Sequence, residues 1–202
     1  MAPDGNSTGA GDPEWGDPVH GRVQIETFVT GALINAVEGG LRRDRGHHAV
    51  AGFSMGGYGA ANLALRHPDL YGQFVSLAGY FHIDDLSGVF GDDPDVQAAD
   101  SPDRHLAEAR REHVMLIDGA DDDLPLTRRE SQRFAGLLRG AGVPVSVSIV
   151  AGTHGWACHV VVANHGTVPG PRLELTAPQV VTAGMGPTLC RQVSRCNGRR
   201  RR

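Results

Sequence analysis

Lysine is absent from the 202 residues, and all 19 basic side chains are arginine. Arginine codons are GC-rich and lysine codons AT-rich, so this absence points to a GC-rich genome. No apolar run approaches the roughly 20 residues that cross a bilayer as a helix. The opening Met1-Ala-Pro-Asp-Gly5 has neither the cationic start nor the apolar stretch of a secretory signal. With no such segment in the chain, the cytoplasm is the default expectation. A net charge of −4 with 21% charged residues argues against nucleic-acid binding driven by whole-chain charge. Cysteine is missing until Cys158; with Cys190 and Cys196 that makes three, an odd number that gives no disulfide framework.

What is present divides unevenly. Apolar residues make up 40% of the chain, enough for one sizeable core. Residues 1–155 hold 12 arginines against 22 acidic residues, and residues 156–202 hold 7 against the single Glu174. The charge therefore reverses where the cysteines begin. The expectation is a catalytic body over 1–156 and an irregular basic tail over 157–202, disordered or read out of frame.

Within the body the apolar spacing alternates between two periods. Residues 1–21 are Gly-, Pro- and Asp-rich and predict loop. Ile25, Phe28, Val29, Leu33 and Val37 line one helical face, stopped by Gly39-Gly40. Residues 47–53 predict a buried strand, and residues 55–66 a helix halted at His67-Pro68. Residues 72–80 predict another strand, and 83–108, with many Asp and Pro, a long loop or lid. His113–Asp118 is a clear buried strand. Thr127-Arg-Arg-Glu130 matches a capping box before a helix ending at Gly140 and Gly142, and Val143–Val150 is a last strand. Alternating strands and helices predict an α/β fold, a parallel sheet with helices packed on its faces.

Chemistry concentrates at Gly52-Phe53-Ser54-Met55-Gly56-Gly57. This is G-x-S-x-G with a strand before it and a helix after it, the context of a nucleophile elbow. The turn is so sharp that side chains two positions either side of the serine would meet backbone, hence Gly52 and Gly56. It also sets the Met55 N–H at a helix N-terminus, where it can stabilise an oxyanion. A serine needs a base, and the base an orienting acid. In chain order the acid and then the histidine follow on loops after later strands. His154, in Gly152-Thr-His-Gly-Trp156, lies just past the last strand. The loop after Asp118 offers Asp121, Asp122 and Asp123, and spacing does not choose among them.

The run from Ile25 to Trp156 resembles the Putative esterase family of α/β-hydrolases, which includes feruloyl-type esterases, S-formylglutathione hydrolase and the mycolyltransferases. The resemblance rests on Met1-Ala-Pro-Asp-Gly-Asn6, Glu26-Thr-Phe28, Ala51–Gly59, Ala64-Leu-Arg-His-Pro68, Leu77-Ala-Gly79, Asp118-Gly119 and Gly152–Trp156. It implies an α/β-hydrolase with Ser54 as nucleophile, His154 as base and Met55 as one oxyanion donor. It also implies Asp122 as the acid, three residues after Gly119. The implied activity is hydrolysis of a carboxylic ester, from a small molecule, lipid or sugar, through an acyl-enzyme and with no cofactor. Family members carry further strands ahead of the segment resembling Met1–Asn6, one leading to the loop with the second oxyanion N–H. Their absence predicts a fold with its front strands missing, one sheet edge exposed and one donor short.

Rival readings share some of these residues. An acyltransferase of the mycolyltransferase type would use the same triad with an alcohol in place of water. A truncated remnant would retain the triad residues without catalysis. A metal module would draw on His154, Cys158 and His159 or on Asp121–Asp123, although consecutive aspartates suit a turn better. Trp15 is expected in a substrate cleft or over the core. Asp84-Asp85 and Asp92-Asp93 are expected as solvated turns, and Arg199–Arg202 as a solvated end.

Overall fold

A computed structural model of the chain describes residues 13–20, 23–39, 43–84, 88–119, 125–150, 152–154 and 180–183. Five parallel strands form one sheet: β1 (Ala49–Phe53), β2 (Gln73–Leu77), β3 (His113–Gly119), β4 (Val145–Val150) and β5 (Val180–Ala183), in the order β4-β3-β2-β1-β5. Four helices accompany them. Helix α1 runs through Ile25–Thr27, a π-helical stretch Phe28–Leu33 and Ile34–Glu38. Helices α2 (Met55–Arg66), α3 (Pro94–Ala99) and α4 (Pro125–Gly140) follow. This is the expected α/β-hydrolase architecture.

The sequence explains these elements locally. Helix α1 buries Ile25, Val29 and Leu33 and ends where Gly39 turns left-handed at φ 61°, a conformation glycine adopts without penalty. Every residue of α2 from Gly56 to Leu65 is buried, which matches its small and apolar composition all round. Between sheet and helices lie Phe74, Phe81 and Phe134, all at 0% exposure. Each contributes about 2–3 kcal/mol of burial, and Phe81 stacks on Phe134 at 4.2 Å.

Four expectations change. β2 ends at Leu77 rather than Tyr80, because Ala78 takes φ 49° and turns the chain out of the sheet. The segment 83–108 contains helix α3, capped by the Asp93 carboxylate on the Asp95 N–H at 2.9 Å, so Asp93 is a cap and not a free turn residue. That segment is fastened to α2: Tyr58 Oη donates to the Asp100 carbonyl at 2.8 Å, and Asn62 and Arg66 both hold the Asp100 carboxylate. Helix α4 begins at Pro125, so Thr127 lies inside its first turn. The Thr127 hydroxyl points to Asp118 (3.5 Å) instead of closing a capping box. Proline at a helix start sacrifices no hydrogen bond.

The fourth change concerns the sheet edge. The far side of β1, expected bare, is paired by Val180–Ala183, with Ala49 opposite Val180 and Gly52 opposite Ala183. That part of the tail is therefore a strand, and it satisfies backbone groups that an edge strand would leave unpaired. The rest of the tail, with Val160–Ala163, all three cysteines and Arg199–Arg202, lies outside the described residues, as do Met1–Asn6 and Asp85.

Candidate active site

β1 delivers Ser54 to the carboxyl end of the sheet. Ser54 itself adopts φ 56°, ψ −120°, a backbone region that side-chain-bearing residues rarely occupy and that costs on the order of 1–3 kcal/mol. The surroundings hold it there. Its N–H donates to the Leu77 carbonyl at 2.8 Å, and its own carbonyl accepts from Gly57 at 2.8 Å and Tyr58 at 3.1 Å. Gly52 has the expected reason. A Cβ on Gly52 would lie 2.0 Å from the Gly56 carbonyl oxygen, so strand and helix are packed backbone on backbone. Gly57, just beyond the motif, is under the same constraint: its Cβ would fall 2.9 Å from the Leu77 carbonyl oxygen.

Met55 opens helix α2. The N–H groups of a first helical turn have no carbonyl one turn behind them, and the helix dipole gives this end partial positive charge. The Met55 amide is thus a donor beside the serine hydroxyl.

His154 arrives by another route. β4 ends at Val150, and Gly152 at φ 145° redirects the chain. The imidazole Nε2 then stands 3.1 Å from Ser54 Oγ, across 100 residues of sequence. Its ring also packs on Phe53, with centroids 4.7 Å apart and planes 38° apart. The structure therefore brings together Ser54, His154, Met55, Gly52 and Gly56. Asp121, Asp122 and Asp123, along with Cys158 and His159, lie outside the described residues.

The junction that carries the three aspartates is described on both sides. Asp118, at the end of β3, is completely buried. Its carboxylate accepts from the Gly119 N–H (2.9 Å), the Ser131 hydroxyl (2.9 Å) and the Thr127 hydroxyl (3.5 Å). It ties the end of β3 to α4. Gly119 has a separate role: a Cβ there would lie 2.6 Å from the Gly152 carbonyl oxygen. The loop ahead of His154 thus rests directly on the end of β3.

Sequence reasoning assigned no role to Phe53 or to the Gly119–Gly152 contact. The signal for Phe53 was its place beside the serine. The glycine contact spans separate strands and leaves no local mark. Trp15 covers the core: it is 2% exposed and its indole seats on Gly59, whose Cβ would come within 2.5 Å of Trp15 Cγ.

The architecture has counterparts among known proteins. A family model described as Putative esterase matches residues 7–161. The MPT51/MPB51 antigen of Mycobacterium bovis is 36% identical over 62 residues, 31% of this chain and 21% of the antigen. A ferulic acid esterase structure superposes with a TM-score of 0.58 at 26% identity, covering 74% of this chain and 61% of its own. The structure of MPT51 from Mycobacterium tuberculosis gives 0.58 at 21% identity, with 69% and 64% covered. FphF, a fluorophosphonate-binding serine hydrolase of Staphylococcus aureus, gives 0.62 at 20% identity, with 75% and 65% covered. The chain thus spans less than two-thirds of each of these solved structures, and the last two likenesses speak for the fold alone. With the family model matching well over half its length, the chain belongs to the Putative esterase family.

Proposed function

We propose that this chain is a serine esterase that cleaves carboxylic esters through an acyl-enzyme on Ser54, His154 and Asp122. The observation that carries the reading is the 3.1 Å approach of His154 Nε2 to Ser54 Oγ at a strained, glycine-flanked turn. A purely structural serine has no need of that backbone cost or of an imidazole drawn in from a distant loop.

The chemistry follows from the positions. Ser54 Oγ attacks the ester carbonyl carbon while His154 Nε2 accepts its proton. The carbonyl oxygen becomes an oxyanion beside the Met55 N–H. Collapse breaks the bond to the alcohol oxygen, which leaves with the proton from His154. Water, deprotonated by the same imidazole, then attacks the acyl carbon and releases the acid and free Ser54. Asp122 takes the role of holding the imidazole and stabilising its cation. The elements on either side of it in sequence, β3 and α4, are tied together by the buried Asp118.

The likeness to a ferulic acid esterase makes a hydroxycinnamoyl ester a natural first substrate beside p-nitrophenyl butyrate. The expected result is turnover that falls by at least about 10⁴ in Ser54→Ala and in His154→Ala. Turnover that survives both substitutions would overturn the assignment. Adding an alcohol acceptor and analysing products separates hydrolysis from acyl transfer.

A further inference from the structure

In a regular strand, consecutive side chains project to opposite faces. Phe53 and Ser54 are consecutive, yet both meet one side chain. The Ser54 hydroxyl lies 3.1 Å from His154 Nε2, and the Phe53 ring packs on the same imidazole at 4.7 Å. The left-handed turn at Ser54, φ 56°, is what allows this. It swings the serine out of the strand's alternation and leaves Phe53 against the imidazole ring.

We propose that Phe53 is a positioning residue for the histidine of this site, an inference that rests on the serine-esterase reading above. The Gly119–Gly152 contact fixes the backbone ahead of His154, and what Phe53 bears on is the rotation of the ring. A flat apolar surface against the imidazole restricts its rotation and keeps Nε2 aimed at Oγ. It also favours the imidazolium formed when the serine proton transfers, since an aromatic face attracts a cation. Phe53 acts on the reacting atoms through its packing on His154. Its contribution belongs to the chemical step and not to ester binding. A second consequence is that the residue needs to be aromatic rather than merely apolar.

The test compares Phe53→Leu, which retains apolar bulk, with Phe53→Tyr, which retains the ring, beside wild type and Ser54→Ala. With p-nitrophenyl butyrate, Phe53→Leu is expected to lower kcat about tenfold with KM within about twofold of wild type. Phe53→Tyr is expected to restore kcat. Melting temperatures of both variants check that the fold is kept. The inference is overturned if Phe53→Leu keeps its kcat, or if KM rises while kcat holds. It is equally overturned if the tyrosine variant is folded yet no better than leucine.

The esterase reading is judged separately, by wild type against Ser54→Ala. If those two are equal, the ring contact is still decided by NMR. The His154 Cε1–H resonance, assigned by its loss in His154→Asn, should shift in Phe53→Leu as the ring current disappears, and should stay near its wild-type position in Phe53→Tyr. An unmoved resonance would remove the contact and the proposal with it.

Discussion

The two ends of the sheet differ in which kind of contact predominates. At the carboxyl ends, backbone lies on backbone: Gly52 against the Gly56 carbonyl, Gly57 against Leu77, Gly119 against Gly152. At the amino ends Gly72 makes one such contact, on the Arg45 carbonyl, but long charged side chains also reach out to clasp several turns at once. Arg45 Nε donates to the Pro68 and Tyr71 carbonyls at 2.6 and 3.0 Å, and its Nη2 to the Arg111 carbonyl and the Glu112 carboxylate, both at 2.5 Å. His48 bridges the Glu38 carboxylate (2.7 Å) and the Leu70 carbonyl (2.8 Å). The lesson lies in tolerance. A side-chain clasp absorbs small shifts by rotating, whereas a backbone contact with no intervening Cβ has nothing to rotate. Ser54 and His154 stand among the glycine contacts, and the adaptable clasps lie a strand's length away, roughly 17 Å for five residues.

The largest effect that sharpens this contrast is expected at Gly52. An alanine there would drive its Cβ to 2.0 Å from the Gly56 carbonyl oxygen, and no side-chain rotation relieves it. Either β1 and α2 separate, which moves Ser54 away from His154, or the elbow fails to form. The expected cost exceeds about 4 kcal/mol, with esterase activity undetectable. A Gly52→Ala protein that melts normally and hydrolyses ester at the wild-type rate would show that the tight approach is not what holds the site.

Arg45→Ala probes the other end and should part stability from chemistry. It removes four hydrogen bonds and leaves Glu112, whose side chain is wholly buried, without its cation. The expected loss is about 2–4 kcal/mol, seen as a lower urea midpoint. The kcat per folded molecule should stay unchanged. A selective fall in kcat with stability intact would break the division of labour between the two ends.

That division also explains what was legible in the sequence. Gly52 and Gly56 collide over four residues, so their constraint is local and shows as a pattern around Ser54. The stop of α2 at Pro68 and the alternation of strands and helices are local in the same way. His154 was legible because a histidine just after β4 has few competitors in this topology. Contacts that join distant segments were not. The Gly119–Gly152 contact is made by two glycines with no shared motif. Arg45 spends its donors mostly on main-chain carbonyls, which carry no sequence identity. Thr127 looked like a helix cap and instead serves Asp118, because the buried carboxylate at the end of β3 offers its hydroxyl a better partner than the helix end does. The pairing of Val180–Ala183 with β1 came from a stretch with no alternation to mark it.

The smallest effect expected is a pH dependence seated in the amino-end clasp. Burial pushes the Glu112 carboxyl up to about 7 from 4.5, against the pull of the Arg45 guanidinium. One of its oxygens, Oε2, has no hydrogen-bond partner among the described residues, which is consistent with a charge poorly compensated on that side. The sign follows from proton binding. Below about 4.5 the carboxyl is protonated in both the folded and the unfolded chain. Between that value and about 7 the folded chain retains a proton that the unfolded chain has released, so raising the pH favours unfolding. Above about 7 both are ionised and the loss is complete. Glu112→Gln has no proton to lose. The difference in melting temperature, wild type minus Glu112→Gln, should therefore fall as pH rises through this window and level off above it. Because Arg45 bonds three carbonyls besides this carboxylate, the clasp survives the ionisation, and the fall should be smaller than the effect of Arg45→Ala. A difference that rises with pH would mean that the ion pair, and not burial, governs this end of the sheet.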